Sequence, residues 1–160
     1  LDWADVAEIR RLWKGRLVLK GIQDAEDARL AVLVGADAIV VSNHGGRQLD
    51  GAEASIRALP AIVDAVGKKA EVWMDGGIRS GQDVLRARAL GARGCLIGRA
   101  YVYGLGALGQ AGVAQALRVI RNELDLTMAF CGRTDIEAVD RSILLPGGHP
   151  GVTETRRTPS

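Results

Sequence analysis

Short apolar runs alternate along the chain with longer stretches in which apolar residues recur every three or four positions. Trp3, Val6, Ile9, Leu12 and Trp13 recur at near-helical spacing with charges between them, and Gly15 follows, which predicts a helix over 2–14. Leu17-Val18-Leu19 is a three-residue strand core running into Lys20-Gly21, and Asp24 can cap a helix over 25–34 that Gly35 closes. Ala38-Ile39-Val40-Val41 is β-branched and wholly apolar, the pattern of a buried parallel strand. Ile56, Leu59, Ile62, Val63 and Val66 make the apolar face of a helix over 53–66, in which Pro60 marks either a kink or the true start. Glu71–Met74 is the third strand, Asp83–Leu90 a short helix stopped by Gly91, and Cys95-Leu96-Ile97 the fourth strand. A helical pattern carried by Val113, Leu117, Ile120, Leu124 and Met128 covers 105–130, with a break near Gly109–Gly112. Residues 1–145 therefore read as one domain. From Pro146 the chain is rich in Gly and Pro and poor in apolar residues, which predicts a flexible tail over 146–160 with His149 solvated.

The pattern repeats. A shift of 56 positions lays Gly21-Ile22 on Gly77-Ile78, Asp27 on Asp83, Ala31 on Ala87 and Gly35-Ala36 on Gly91-Ala92. Alternating βα units at this spacing imply a parallel sheet covered by helices, either an open doubly wound sheet or part of a (β/α)8 barrel. An open sheet concentrates ligand contacts at one crevice, whereas a barrel uses the carboxyl end of every strand. Here Lys20, Ser42, His44, Asp75, Arg79, Gly98 and Arg99 lie at or just beyond the ends of all four strands. That favours the barrel. A whole barrel takes eight strands and roughly 250 residues, so four strands make a half-barrel with two unpaired edges and an uncovered inner face. Such a piece is expected to pair with a complementary half or with copies of itself.

Composition narrows the function. With 48% apolar and 25% charged residues the chain has the balance of an ordinary folded domain, and a net charge of +2 spread over single and paired basic residues argues against a nucleic-acid partner. Two cysteines match neither a disulfide framework nor a metal spacing, so both read as reduced packing residues of a cytoplasmic protein, and no metal site is expected. Leu1–Asp5 shows no signal-peptide pattern, and the Gly/Ala-rich stretch 104–117 is too short to span a bilayer. Trp3, Trp13 and Trp73 read as packing aromatics.

The densest chemistry follows the second strand, in Ser42-Asn-His-Gly-Gly-Arg-Gln-Leu-Asp50. His44 can take a proton near neutrality, and Arg47 is a planar fork suited to a carboxylate, with Gly45-Gly46 between them letting the backbone approach a flat ligand. Asp75-Gly-Gly-Ile-Arg-Ser-Gly81 opens a helix beside a guanidinium, a combination that cradles phosphate, and Gly98-Arg99 supplies a second set of donors. Barrel phosphate sites commonly use the loops after strands seven and eight, which assigns these four strands to positions five to eight.

With Lys20-Gly21 upstream and Asp75-Gly-Gly-Ile-Arg79 and Gly98-Arg99 downstream, the His-containing nonapeptide resembles the FMN-dependent L-2-hydroxy acid dehydrogenase and oxidase family, whose members include L-lactate dehydrogenase, glycolate oxidase and mandelate dehydrogenase. The resemblance covers about residues 1–145. The runs Arg57-Ala-Leu-Pro60 and Gly109-Gln-Ala-Gly-Val113 are most similar to the bacterial L-lactate dehydrogenases, which makes L-lactate the favoured substrate. The resemblance implies that His44 is the base that takes a proton from the substrate and that Arg47 holds its carboxylate. It also implies that Lys20 lies by flavin N1 and the C2 carbonyl, that Ser42 lines the flavin site, and that Asp75, Gly76, Gly77, Arg79, Gly98 and Arg99 bind the ribityl and phosphate groups of FMN. The implied reaction oxidises an L-2-hydroxy acid to the 2-oxo acid, with two electrons passing to FMN, whether as a hydride from an alkoxide or through a carbanion.

The family's first four strands carry further flavin contacts, a second arginine and the aspartate that orients the histidine, and none of these is in this sequence. The resemblance thus implies a carboxyl-terminal half, from cleavage in the loop after strand four or from a partial gene product, that needs an amino-terminal half chain or a homo-oligomer. Two other readings stay open: an inert half-barrel that binds FMN or phosphate or self-associates, and a different FMN barrel such as an IMP-dehydrogenase-like or isomerase enzyme. The expected location is cytoplasmic, with peripheral attachment at the inner face of the membrane also open.

Overall fold

The computed structural model describes residues 1–152. Four parallel strands, β1 (Val18–Ile22), β2 (Ala38–Val41), β3 (Glu71–Met74) and β4 (Gly94–Cys95), lie side by side in chain order. Helices α2 (Ala25–Leu33), α3 (Ser55–Val66) and α4 (Gly81–Ala89) make the crossovers between them. Right-handed crossovers that always step to the next strand put every helix on the same face. The strand order never reverses, so the doubly wound alternative is excluded for these strands.

The face under the helices is the core. Ile39, Val41, Leu59, Ile62, Met74 and Leu90 are each no more than 1% exposed and pack in one cluster. Burying each contributes on the order of 1.5–3 kcal/mol, and Leu59→Ala or Ile62→Ala is expected to cost about 2–5 kcal/mol. β2 is buried along its length because it has strands on both sides, whereas Val18 on edge strand β1 is half exposed. Neither β1 nor β4 has a strand on its outer side among the described residues.

The sequence repeat is visible in the helices. α2 moved by 56 positions falls on α4, and the caps correspond as well: Asp24 accepts from the backbone N–H groups of Glu26 and Asp27, Ser80 from that of Asp83. Asp83, expected to begin α4, is instead its third residue, returning a carboxylate to the Ser80 N–H in a capping box. α1 (Trp3–Leu12) is capped in the same way by Asp2 and Asp5.

Four expectations need correction. The first strand is Val18–Ile22, not the core 17–19, so Lys20 lies within it instead of beyond its end. Pro60 does not start α3, which begins at Ser55 and carries the proline, itself buried, in its second turn. The fourth strand is Gly94–Cys95, not 95–97; Leu96 still donates to the Met74 carbonyl, after which the chain turns at Gly98. The last helix, α5 (Arg99–Phe130), begins six residues before the expected 105. The break foreseen near Gly109 is present: Leu108 and Gly109 leave the helical region and divide α5 into two limbs. The limbs touch where both residues are glycine, Gly104 and Gly112, with no room for a Cβ between them.

After α5, 3-10 turns at Ile136–Ala138 and Arg141–Ile143 return the chain to α4, where Glu137 pairs with Arg88 and Arg93 at 3.0 and 2.5 Å. Of the expected tail, residues 146–152 continue as turns, with Val152 8% exposed against the core and His149 half buried, not solvated; 153–160 lie outside the described residues. No helix among the described residues is long and apolar enough to cross a membrane.

Candidate functional site

The carboxyl end of β2 delivers Ser42, which is 1% exposed. Its Oγ accepts from Lys20 Nζ at 2.9 Å and from the His44 N–H at 3.0 Å, joining β1 to the turn after β2. The next residues are tied as tightly. Asn43 donates its N–H to Ser55 Oγ at 3.2 Å, its Nδ2 to the Glu53 carbonyl at 3.3 Å, and accepts at Oδ1 from the Gly45 N–H at 2.9 Å. These bonds hold His44–Gly46 in a 3-10 turn in which His44 has φ +54°, the one left-handed non-glycine among the described residues. A single residue held in that region costs on the order of 1–3 kcal/mol, and such strain clusters at functional sites.

Lys20 also lies 2.6 Å from Asp75 Oδ2. The other carboxylate oxygen, Oδ1, is buried with no hydrogen-bond partner. A buried acceptor left open beside a cavity suits a ligand hydroxyl.

The two expected phosphate cradles differ. At the head of α4 most donors are already taken, since Asp83 accepts from the N–H groups of Arg79 and Ser80, Ser80 Oγ from that of Asp83, and Glu123 Oε2 from that of Gly81. What this loop presents to the cavity is the Gly76-Gly77 turn and the Arg79 side chain. The head of α5 is the open one. Gly98 has no side chain with which to cap it, so the first N–H groups of the helix have no side-chain acceptor.

These groups share one cavity of about 600 Å3, whose walls include Lys20, His44, Arg47, Asp75, Gly76, Gly77, Arg79, Gly98 and Arg99. Every residue to which the family resemblance gives a role is on this wall except Ser42, which lies beneath it and supports Lys20 and His44. Arg47, Arg79 and Arg99 form no ion pair among the described residues, whereas Lys20 is matched by Asp75. The cavity thus carries an excess of positive charge, and its size is within the range of cofactor sites. It suits an elongated anionic ligand with hydroxyl groups, and the donor set fits FMN: guanidinia and open N–H groups for a phosphate, an unpartnered carboxylate oxygen for a ribityl hydroxyl.

Three contributors escaped the sequence reading. Asn43, two residues before Gly45, is a recognisable Asx-turn residue, a signal that was present. Ser55 has no local signal; its Oγ matters because α3 brings it to the Asn43 N–H. Gly21, φ +102°, sits at an irregularity in the β1–β2 register between Lys20 and Ile22, and a Cβ there would lie 2.7 Å from His44 Nε2.

Comparison with known proteins gives three findings. The model of a family described as FMN-dependent dehydrogenase matches residues 1–146. An L-lactate dehydrogenase of Caulobacter vibrioides (strain NA1000 / CB15N) is 56% identical over 144 residues, 90% of this chain, and a pre-mycofactocin synthase of Mycolicibacterium smegmatis is 50% identical over 147 residues, 91% of this chain. This chain spans 38% and 37% of their respective lengths. A crystal structure of mandelate oxidase with (S)-2-phenylpropionate superposes with a TM-score of 0.85 at 49% identity, covering 88% of this chain and 42% of that one.

Proposed function

This chain belongs to the FMN-dependent dehydrogenase family, and from that premise we propose that it forms strands five to eight of a (β/α)8 barrel oxidising an L-2-hydroxy acid, L-lactate foremost, to its 2-oxo acid. The observation that carries this reading is the shared cavity: a histidine on a strained turn and an unpaired arginine open into the same space as an uncapped helix head flanked by Arg79 and Arg99. FMN bound there would accept the two electrons released when the substrate carbinol becomes a carbonyl.

The roles of this chain's residues follow from their chemistry. His44 takes the proton that the substrate hydroxyl loses and holds it on its imidazole. Arg47 pairs its fork with the substrate carboxylate, which orients the reacting carbon. Lys20, steadied by Ser42 and Asp75, would lie beside the flavin ring, where its ammonium would favour negative charge. Asp75 Oδ1 would accept from a ribityl hydroxyl, and the α5 head with Gly76, Gly77, Arg79 and Arg99 would hold the phosphate.

Residues 1–145 constitute the half-barrel, and Val152 packs against its core. The open edges at β1 and β4, with Val18 and Leu96 exposed, favour a chain that is inert alone and active beside a complementary half. Its location on this reading is cytoplasmic, with peripheral membrane attachment compatible with the same fold.

The test combines the chain with a polypeptide supplying the first four βα units, adds FMN, and follows flavin absorbance anaerobically with L-lactate and L-mandelate. A yellow complex that bleaches with substrate is expected, and His44→Gln should keep the flavin while losing the bleaching. Parent-like bleaching in that variant would remove His44 from its role. A combination that binds FMN but bleaches with neither acid would overturn the hydroxy-acid reading and leave the inert half-barrel or a different FMN enzyme.

A further inference from the structure

We propose that Gly21 is a positioning residue for His44: the missing side chain at the end of β1 is the seat on which the imidazole rests. The inference rests on the functional reading above only for its catalytic consequence, since the contact itself belongs to the fold.

Three observations meet at this point. A Cβ built on Gly21 would lie 2.7 Å from His44 Nε2, 3.5 Å from Cε1 and 3.7 Å from Cδ2, so the ring stands on the Gly21 Cα with its Nε2 edge foremost. The first distance is shorter than real Cβ contacts, and one of the two groups would have to move. Second, His44 cannot readily yield through its backbone: its N–H is held by Ser42 Oγ, the next N–H by Asn43 Oδ1, and its φ is already left-handed at +54°. The remaining freedom is side-chain rotation, which would carry the ring off its present line. Third, Gly21 has φ +102° and coincides with the shift in register between Lys20 and Ile22. The irregular backbone and the empty side-chain position therefore serve one place, the ground beneath the imidazole.

The consequence is a constraint on aim. The His44 side chain is exposed, so what steadies its imidazole is the fixed turn after β2 at its root and the bare backbone of β1 at its Nε2 edge. An added methyl at position 21 would displace the ring by a fraction of an ångström to an ångström, and misplacement on that scale costs on the order of 10²-fold in rate.

The experiment has two readouts that do not depend on activity. The chain has two histidines, so its ring signals are few, and a His149→Gln variant assigns them. In the parent protein a nuclear Overhauser contact between His44 ring protons and the Gly21 α-protons is expected, and its absence overturns the proposal. Thermal midpoints of the parent, Gly21→Ala, His44→Ala and the double variant then measure coupling. The left-handed strain of alanine at 21 is the same whether or not the imidazole is present and cancels, leaving the clash with the ring. Gly21→Ala should lower the midpoint more in the parent than in the His44→Ala background, or fold only in that background; equal losses in both backgrounds overturn the proposal. In the assembled flavoprotein, Gly21→Ala should lower turnover about 10²-fold with FMN retained and KM little changed, and add nothing to His44→Ala. If the parent bleaches with no 2-hydroxy acid, the functional reading falls while the Overhauser contact and the midpoints still decide the role of Gly21.

Discussion

Lys20 Nζ lies 2.6 Å from Asp75 Oδ2, so an ammonium from the middle of β1 is joined to the carboxylate just past β3 across the end of the strand between them. Ser42 beneath completes the link by accepting from the same ammonium. The pair is unequal, with the Asp75 side chain 18% exposed and that of Lys20 39%. Lys20→Met strands a carboxylate whose other oxygen already lacks a partner, and is expected to cost about 1–3 kcal/mol. Asp75→Asn leaves a lysine that water can reach and should cost less, under about 1 kcal/mol. Urea unfolding of both variants checks the order, and the reverse order would show that the carboxylate is not the dependent partner.

Arg47→Lys keeps the charge but loses the planar fork. In the assembled enzyme, KM for L-lactate should rise at least about tenfold while the affinity for FMN is unchanged. Steady-state kinetics with a parallel flavin titration separates the two effects. A weakened flavin with unaltered KM would move Arg47 from the substrate to the cofactor.

Arg79 and Arg99 flank the open head of α5 without ion-pair partners among the described residues. Replacing either by Met should weaken FMN binding roughly 10- to 100-fold, the worth of a charge-assisted hydrogen bond. Riboflavin, which has no phosphate, should bind parent and variants alike. Flavin fluorescence titrations make the comparison, and equal losses for both ligands would place the arginines elsewhere on the flavin.

Cys95 and Cys131 should differ sharply toward thiol reagents. Burial, reinforced by the charge of Asp83, pushes the Cys95 thiol up to about 11, whereas Cys131 is exposed. The native chain is therefore expected to take up one equivalent of a maleimide near pH 7.5 and two when unfolded, a count that mass spectrometry reads directly. The same shift bears on stability. Above the ordinary thiol value of 9.0 the unfolded chain loses this proton while the folded chain keeps it, so between pH 9 and 11 the Cys95 contribution falls as pH rises, by up to about 1.4 kcal/mol per unit. Cys95→Ala should flatten the stability profile in that window.

Much of the site could be read along the chain because each element carries its chemistry at its own carboxyl end. Lys20, His44, Arg47, Asp75, Arg79 and Arg99 follow strand-like runs, and parallel strands in a common layer bring their ends to one face. Which helix head is free was legible only in part. The Asp75–Gly81 loop has the composition of an anion cradle, but most of its donors are taken by Asp83, the third residue of α4, and by Glu123, forty-two residues beyond Gly81. Only the second of these is long-range; the capping box was readable, and it shifts the phosphate role toward Gly98.

The order of strands and helices, the repeat that superposes α2 on α4, and most of the side chains around the cavity follow from the chain read residue by residue, because hydrophobic period, caps and turns are properties of neighbouring residues. The tertiary structure alone decided that the strand order advances without reversal, that α5 begins at Arg99, and that the ring of His44 stands on Gly21. Those outcomes depend on contacts between residues far apart in sequence. No local pattern states how close the end of β1 comes to the turn after β2, and that distance is set by packing of the whole sheet.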